Sequence, residues 1–199
     1  MQAAGFRISK RNGFWGIALT ALGLLFTAGL SGGCRQQQQP LMQQQCLNQG
    51  WMFRSLQDSL WYTARIPSTI HTDLQDAGLI PDPFYGCNEE SLQWIGETSW
   101  VYRLVFTPDG HLQKKDNIEL LFEGLDTYAE IWLNDRLLYT AGNMHRPHRI
   151  DLQKKLKQGE NLLEVRFEPA ALRFITDSLA LGYPLPGGQW VFARKAAFH

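Results

Sequence analysis

The feature that most constrains the fold is a series of short segments in which apolar and polar residues alternate. In residues 98–106 (TSWVYRLVF), Trp100, Tyr102 and Leu104 fall on one face of an extended chain. Apolar or alternating runs of similar length follow at residues 118–122, 129–133 and 162–167. Several short strands at this spacing predict an antiparallel β-sandwich rather than a parallel α/β sheet.

Turn residues separate these segments. Asn134 and Asp135 lie between two apolar runs, and both residue types tolerate the positive φ of a tight hairpin turn. Gly159 marks a second turn before the last of the strands. We therefore expect hairpin connections between neighbouring strands.

Helix is predicted in only two places. Residues 70–77 follow the possible caps Ser68 and Thr69 and are ended by Gly78, and residues 168–181 have apolar residues at helical spacing. The predicted fold class is therefore all-β, an antiparallel β-sandwich with one or two short helices. We expect the apolar faces of both helices to pack against the core.

Length and composition limit the possible functions. The chain has 199 residues, enough for one domain with a sizeable core and a leader. Its 19 basic and 19 acidic residues cancel, and neither sign forms a long run, so we predict no nucleic-acid partner. The seven Trp suit a β-rich core, and they also suit stacking on sugar rings.

The amino terminus has the composition of an export signal. Arg7, Lys10 and Arg11 precede the apolar residues 14–30, and small residues follow before Cys34. We predict a signal peptide over residues 1–33 of the lipoprotein type, with Cys34 as the lipidation site. Leu30 lies four residues before Cys34, where a bacterial lipobox has Leu at three. An ordinary cleaved signal and an uncleaved membrane anchor remain alternatives.

All three alternatives place the rest of the chain outside the cytoplasm. We expect an exported protein of the periplasm, outer membrane or cell surface. Residues 34–46 are rich in Gln and have little to bury, so they are predicted to be a tether. The globular domain is then residues 47–199.

Cysteine and histidine usage is sparse. Cys46 and Cys87 could pair in an oxidising compartment, and the sequence leaves this open. The five His residues do not combine with Cys or carboxylates at ligand spacing, so we predict no metal site. His145 and His148 flank Pro147 and are interpreted as polar loop residues.

Motifs along the chain resemble the amino-terminal domain of β-mannosidases of glycoside hydrolase family 2, and of secreted bacterial members in particular. They are residues 66–74 (IPSTIHTDL), 78–86 (GLIPDPFYG), 94–97 (WIGE), 100–103 (WVYR), 122–129 (FEGLDTYA), 133–135 (LND), 143–147 (NMHRP), 159–161 (GEN), 183–188 (YPLPGG) and 191–195 (VFARK). The resemblance covers nearly everything after Leu47. It implies a jelly-roll sandwich of the galactose-binding-like type.

The resemblance also implies an activity for the parent enzyme. Family members remove terminal β-linked mannose from manno-oligosaccharides or glycans by a retaining double displacement. Two Glu on a (β/α)8 barrel, with carboxyl groups ~5 Å apart, perform that reaction without a cofactor. We expect no catalytic residue in this chain and no hydrolysis by it alone. Asn88-Glu89 is interpreted as a chance match to the family's acid/base motif.

The resemblance suggests where a sugar could be approached. Family members continue, just after the last residues of this chain, into a Trp-Asp-Trp-Gly stretch near the sugar, so we expect the domain to be cut short there. Arg194 is the first candidate for a substrate-side contact and Trp190 the second; a salt bridge and a core ring are their structural interpretations.

A second predicted feature is a stiff loop. Pro81 and Pro83 restrict this loop, which suits an arm reaching a neighbouring domain. Phe84, Tyr85 and Trp94 could wall a sugar site, or could pack on the sandwich or the barrel.

Two functions from different classes therefore compete. The first is the positioning domain of a β-mannosidase, with β-mannoside oligosaccharides or glycans, the catalytic barrel and, through a lipid anchor, the membrane as partners. The second is a non-catalytic, carbohydrate-binding surface lipoprotein. Another family 2 enzyme, such as a β-galactosidase or β-glucuronidase, is disfavoured by residues 80–86 (IPDPFYG).

Overall fold

The structure is a computed structural model that describes residues 2–10, 44–113 and 117–181. The described strands are β1 (Gln2–Lys10), β2 (Gln44–Cys46), β3 (Met52–Ser55), β4 (Tyr62–Thr63), β5 (Ser68–Thr69), β6 (Trp100–Phe106), β7 (Ile118–Leu125), β8 (Ala129–Leu133), β9 (Arg136–Ala141), β10 (His148–Asp151) and β11 (Asn161–Phe167). The described helices are α1 (Ile70–Asp76), α2 (Asn88–Ser91), α3 (Trp94–Glu97), α4 (Gly110–Gln113) and α5 (Ala170–Leu181).

The strands form two antiparallel sheets, which confirms the predicted all-β sandwich. The larger sheet has the order β4-β3-β6-β11-β8-β9. The second sheet has the order β10-β7-β1-β2, and β5 also pairs with β1. Most neighbours in these sheets are not consecutive in sequence, so the sheets depend on long-range pairing.

The core lies between the inward faces of the two sheets. Alternate residues of β11 are buried, as its period of two predicts. Phe53 is fully buried, and its ring stacks on Tyr102 with centroids 5.8 Å apart. Tyr102 in turn meets Phe167 edge-on at 5.8 Å. Burial of each such ring contributes about 1.5–3 kcal/mol.

The outer face of the larger sheet is covered by its own long side chains. The Arg103 guanidinium lies 3.7 Å and that of Arg54 4.9 Å from the ring centre of Trp61. Val101 is paired with Arg54 in the β3–β6 register and so lies on the same face of the sheet, where it is only 2% exposed. The two Arg side chains thus cover part of this face, and the Arg54 guanidinium also donates to the carbonyls of Ser55 and Leu56 at 3.2 Å.

The predicted β8–β9 hairpin is confirmed. Asn134 and Asp135 have φ of 50° and 65°, as a two-residue turn with two positive φ angles requires. The Asn134 side chain also accepts a hydrogen bond from the Leu162 N–H at 3.1 Å and donates to Asn161 Oδ1 at 2.9 Å. The turn is therefore tied to the neighbouring strand.

Both predicted helices are present. Thr69 caps α1 by accepting the Thr72 N–H at 3.2 Å, and Gly78 follows with φ of 70°. Helix α5 begins at Ala170, two residues later than expected. Helices α2, α3 and α4 were not predicted, because a single turn is too short to show helical periodicity.

The structure corrects the prediction for one histidine and answers the question that the sequence left open for two cysteines. His148 is not a loop residue: it begins β10, is 2% exposed and bonds through Nε2 to the Asn143 carbonyl at 2.8 Å. The prediction was wrong because Pro147 precedes a strand whose alternate residues face the core. Cys46 and Cys87, whose pairing was left open, are both free and exposed.

The amino-terminal prediction stays a prediction. Residues 2–10, part of the predicted signal, form β1 here, while Cys34 and residues 14–30 lie outside the described residues. Trp190 and Arg194 lie outside them as well. In the described part of the chain, no helix is long and apolar enough to span a membrane.

Candidate functional site

The register of the larger sheet places several family motifs at one end of the sandwich. One row of paired residues crosses this sheet: Ser55, Trp100, Phe167, Ala129 and Ala141. The connections that leave this row are residues 56–61, 126–128 and 142–147, and α3 and α5 adjoin it. We call this region the Trp100 end.

A long connection, residues 78–93, projects at the Trp100 end and is called the arm. Its tip carries Phe84, which is 96% exposed, and Tyr85, which is 76% exposed. The Asp82 carboxylate accepts the Phe84 N–H at 2.9 Å, and the Asn88 amide donates to the Asp82 carbonyl at 2.8 Å. These bonds fix the turn that presents the two rings, as expected of Asp in a turn.

The base of the arm is anchored in the core. Ile80 and Leu92 are buried on its two sides, and Ile95 of α3 is 1% exposed. The Trp100 indole donates to the Ile95 carbonyl at 3.0 Å, and the Trp94 and Trp100 rings lie 6.0 Å apart. The arm is therefore a braced extension of the sandwich.

A buried carboxylate joins α1, which leads into the arm, to the larger sheet. Asp73 is 1% exposed; its Oδ2 accepts from Tyr102 Oη at 2.8 Å and from Ser68 Oγ at 2.7 Å. Its Oδ1 accepts the Arg65 N–H at 3.1 Å. Three donors thus satisfy a polar group that could not be buried alone.

The environment of this pair shifts both pKa values. Burial raises the pKa of Asp73 above 3.8, although the hydrogen bonds from Ser68, Arg65 and Tyr102 oppose that shift. Burial, with the neighbouring Asp73 charge, raises the pKa of Tyr102 well above 10.0. Tyr102 therefore remains a hydrogen-bond donor throughout the neutral range. This network positions α1 and is not exposed to solvent.

Helix α5 completes the Trp100 end. It contacts α3 and leaves Leu172, Leu179 and Leu181 exposed. Near its start, Arg173 forms an ion pair with Glu168 at 3.6 Å, and its guanidinium lies 5.6 Å from the Tyr128 ring centre. The expectation that the apolar face of this helix packs against the core is therefore wrong for Leu172 and Leu179, which are exposed.

Exposed apolar side chains are concentrated at this end. Among the described residues, the exposed large hydrophobic side chains there are Leu56, Leu60, Leu79, Phe84, Tyr85, Trp94, Leu172, Leu179 and Leu181. Val105 and Leu137, the other two, lie on the outer face of the larger sheet. Exposed apolar residues on neighbouring elements make this end the candidate binding surface of the described part of the chain.

The exposed side chains of this surface are chiefly apolar. Within the described ranges, no group of three or more His, Cys, Asp or Glu could hold a metal ion. Asn88 and Glu89 lie in α2, on the arm, and the interpretation of this pair as a chance match stays a prediction. The arrangement offers rings and apolar surface held in fixed positions.

The structure separates the three aromatic residues that were candidates for a sugar wall. Phe84 and Tyr85 share the arm tip, whereas Trp94 packs on Trp100 and supports the base. The Asp73–Tyr102 network was missed by sequence reasoning. The signal for it was an acidic residue beside Leu74, on the face of α1 that also bears Ile70.

Comparison with known proteins identifies the domain. Residues 51–199 match the family described as glycosyl hydrolase 2 galactose-binding domain-like. The chain belongs to this family. Membership confirms the predicted resemblance and the galactose-binding-like sandwich, and the matched residues leave no room for a catalytic domain in this chain.

Individual relatives point to one branch of the glycosyl hydrolase 2 family. Beta-mannosidase B of Emericella nidulans is 36% identical over 174 residues, covering 78% of this chain and 20% of the relative. Beta-mannosidase B of Thermothelomyces thermophilus is 40% identical over 169 residues, covering 77% and 19%. The crystal structure of a beta-D-mannosidase from Dictyoglomus thermophilum is 36% identical with a TM-score of 0.69, covering 72% and 18%.

The chain therefore spans about a fifth of the length of the curated relatives it matches. These two relatives are fungal, so a bacterial origin for this chain stays a prediction.

Proposed function

We propose that this chain forms the amino-terminal domain of an exo-acting β-mannosidase and positions the catalytic barrel by docking through the Trp100 end. The observation that carries the proposal is the exposed apolar surface of the arm and α5. Helix α5 follows β11 directly at this end of the larger sheet. The beta-mannosidase relatives, several times longer than the matched region, support the proposal.

The division of labour follows from the chemistry of the site. Two Glu of the barrel would perform the retaining hydrolysis of terminal β-linked mannose from oligosaccharides or glycans. The present domain would supply a rigid surface. Because Asp82 and Asn88 hold the arm tip in place, docking would order few additional groups and would cost little conformational entropy.

Two finer parts of the proposal concern residues outside the described ranges. Arg194 and Trp190 are proposed to approach the substrate, because they come just before the position at which family members continue into a Trp-Asp-Trp-Gly stretch near the sugar. Export as a lipoprotein through Cys34 is proposed from the basic, apolar and small-residue order of residues 1–33. Mass spectrometry of the exported protein would show a diacylglycerol on Cys34, and an unmodified Cys34 would contradict the anchor.

The first test of the parent enzyme is the DNA beyond the codon for His199. An open frame encoding a barrel with two catalytic Glu would support the proposal. A stop codon at that point would contradict it for this gene product.

The second test is activity of the complete polypeptide on a chromogenic β-mannoside. We expect the double variant Phe84→Ser, Tyr85→Ser to lower kcat/KM about tenfold, because loss of two interface rings removes roughly 1–2 kcal/mol of docking energy. Leu137→Ser is the matched control, since Leu137 is also exposed but lies away from the Trp100 end. Equal activity of the double variant and the control would exclude docking through the arm.

A second function is favoured by one observation, the presentation of Phe84 and Tyr85 as fixed and exposed rings. Such rings can stack on the apolar faces of sugars, as a carbohydrate-binding lipoprotein requires. Titration of this chain with mannobiose distinguishes the two functions. Saturable binding that Phe84→Ser abolishes would favour the binding protein, and its absence would favour the docking domain.

A further inference from the structure

Strand β1 occupies a central position in the smaller sheet. It pairs with β7 on one side, for example Phe6 with Phe122 and Ile8 with Leu120. On its other side it pairs with β2, through Arg7 and Cys46, and with β5, through Ala3 and Ser68. Among the described strands, β2 and β5 have no other partner in this sheet.

The residues of β1 also carry the basic part of the predicted export signal, including Arg7 and Lys10. A chain processed before Cys34 would lack β1 altogether. Strand β7, whose Leu120, Phe122 and Leu125 are fully buried, would then present unpaired N–H and C=O groups along one edge. Such an edge binds extended segments by strand addition.

The sequence of β1 (QAAGFRISK) suits a replaceable strand. Three of its nine residues, Ala3, Ala4 and Gly5, have low intrinsic strand propensity. Its pairing with β7, β2 and β5 is made by the main chain, and another extended segment can form the same kind of hydrogen bonds.

We propose that the β1-facing edge of β7 is a strand-binding site and that Gln2–Lys10 is its exchangeable occupant. The site is filled by Gln2–Lys10 in the unprocessed chain and is vacated when the signal is removed. The release on processing rests on the export proposed above, whereas the strand-binding site does not.

The test uses the full chain made by cell-free synthesis without membranes, so that residues 1–43 are retained. A protease site placed between residues 11 and 43 is cut after folding, and the released amino-terminal peptide is removed by gel filtration. A fluorescent peptide of residues 2–10 is then titrated by anisotropy, and amide hydrogen exchange is followed over Ile118–Leu125 and over β6 and β11. The matched control is the same peptide with Ile8→Pro, which removes a ladder N–H.

The expected result has two parts. Cutting and filtration increase exchange in β7 while β6 and β11 stay protected, and the peptide binds saturably and restores protection to β7. The Ile8→Pro peptide binds at least tenfold more weakly. In the uncut chain, Ile8→Pro should also increase exchange in β7 and β2 but not in β6.

Three results would overturn the inference. Unchanged protection of β7 after the cut and filtration would show that Gln2–Lys10 is not an exchangeable occupant, because either it stays bound or the β7 edge is protected without it. Loss of protection in β6 and β11 together with β7 would show that β1 is an integral strand and not an exchangeable one. Absence of peptide binding to a chain that keeps β6 and β11 protected would exclude the site. None of these results depends on whether the protein is exported or belongs to a glycosidase.

Discussion

At the residue scale, Asp73 shows how a single polar group organises the region behind the arm. It receives hydrogen bonds from three segments: the Arg65 backbone, the Ser68 hydroxyl and the Tyr102 hydroxyl of β6. A carboxylate has enough acceptor positions for all three, which no apolar residue could provide. Replacement of Asp73 therefore disturbs several partners at once.

Asp73→Ala should lower the free energy of unfolding by about 3 kcal/mol, because it leaves the hydroxyl of Tyr102 and two further donors without their acceptor. Asp73→Asn should cost roughly 1 kcal/mol, since its carbonyl still accepts and the hydroxyl groups can rotate to accept from its amide. Urea denaturation of the purified chain measures both values. Equal losses for Ala and Asn would contradict this account of the network.

The raised pKa of Asp73 predicts a pH dependence of stability. The folded state keeps the Asp73 proton at pH values where the unfolded chain, with its pKa near 3.8, has released it. The contribution of Asp73 to the free energy of unfolding therefore falls as pH rises from 3.8 through the raised folded pKa, and is constant above it.

The measurement compares wild type with Asp73→Asn by denaturation between about pH 3 and pH 7. We expect the free energy of unfolding of the wild type to fall, relative to that of the Asp73→Asn variant, as pH increases across that window. A relative gain with increasing pH would mean that the hydrogen bonds to the ionised carboxylate outweigh its burial.

At the element scale, the β8–β9 hairpin shows local chemistry and long-range contacts acting together. Asn134 and Asp135 both have positive φ, which their side chains tolerate better than most. Asn161 of β11 is 1% exposed, and its side-chain oxygen accepts a hydrogen bond from the Asn134 amide. The turn is therefore also held from outside the hairpin. The register of β8 against β9 and β11 depends on this corner.

Asp135→Gly should raise the free energy of unfolding by about 0.5 kcal/mol, because Gly adopts a φ of 65° without the steric cost that a Cβ carries. Asp135→Val should lower it by about 1–2 kcal/mol, since a β-branched residue is strained there. Thermal denaturation of the two variants is the measurement. A Val variant as stable as the Gly variant would mean that the turn does not keep this conformation.

At the scale of the whole molecule, apolar side chains serve two purposes. Phe53 is fully enclosed between the sheets, whereas Phe84 is 96% exposed on the arm. Burial of Phe53 stabilises the folded domain itself, whereas the Phe84 ring contributes binding free energy only when another surface covers it. The same residue type therefore has different consequences at the two positions.

Phe53→Ala should destabilise this chain by about 3–5 kcal/mol, since it opens a cavity in the core. Phe84→Ala should change the free energy of unfolding by less than about 0.5 kcal/mol, as for other exposed positions. Chemical denaturation of the 199-residue chain distinguishes them. A large loss for Phe84→Ala would show that the ring packs within the domain and would remove the basis for docking through the arm tip.

Much of the sandwich could be predicted from the sequence because its information is local. The alternation in residues 98–106 and 162–167 identified β6 and β11, the Asn134-Asp135 pair identified the hairpin, and Thr69 with Gly78 bounded α1. These features reside in a few consecutive residues, whose preferences do not depend on distant partners. The loop that forms the arm was also predicted, because Pro81 and Pro83 restrict the chain locally, whereas its contact with a neighbouring domain stays a prediction.

The rest was decided by tertiary contacts. The acceptor role of Asp73 depends on Tyr102, 29 positions away, and the burial of His148 depends on the pairing of β10 with β7. The gathering of exposed leucines and aromatics at the Trp100 end follows from the order of strands in the larger sheet. The sequence by itself determined which segments are strands and what they resemble, and the tertiary structure decided which side chains meet, because non-local pairing depends on distant partners that no single segment specifies.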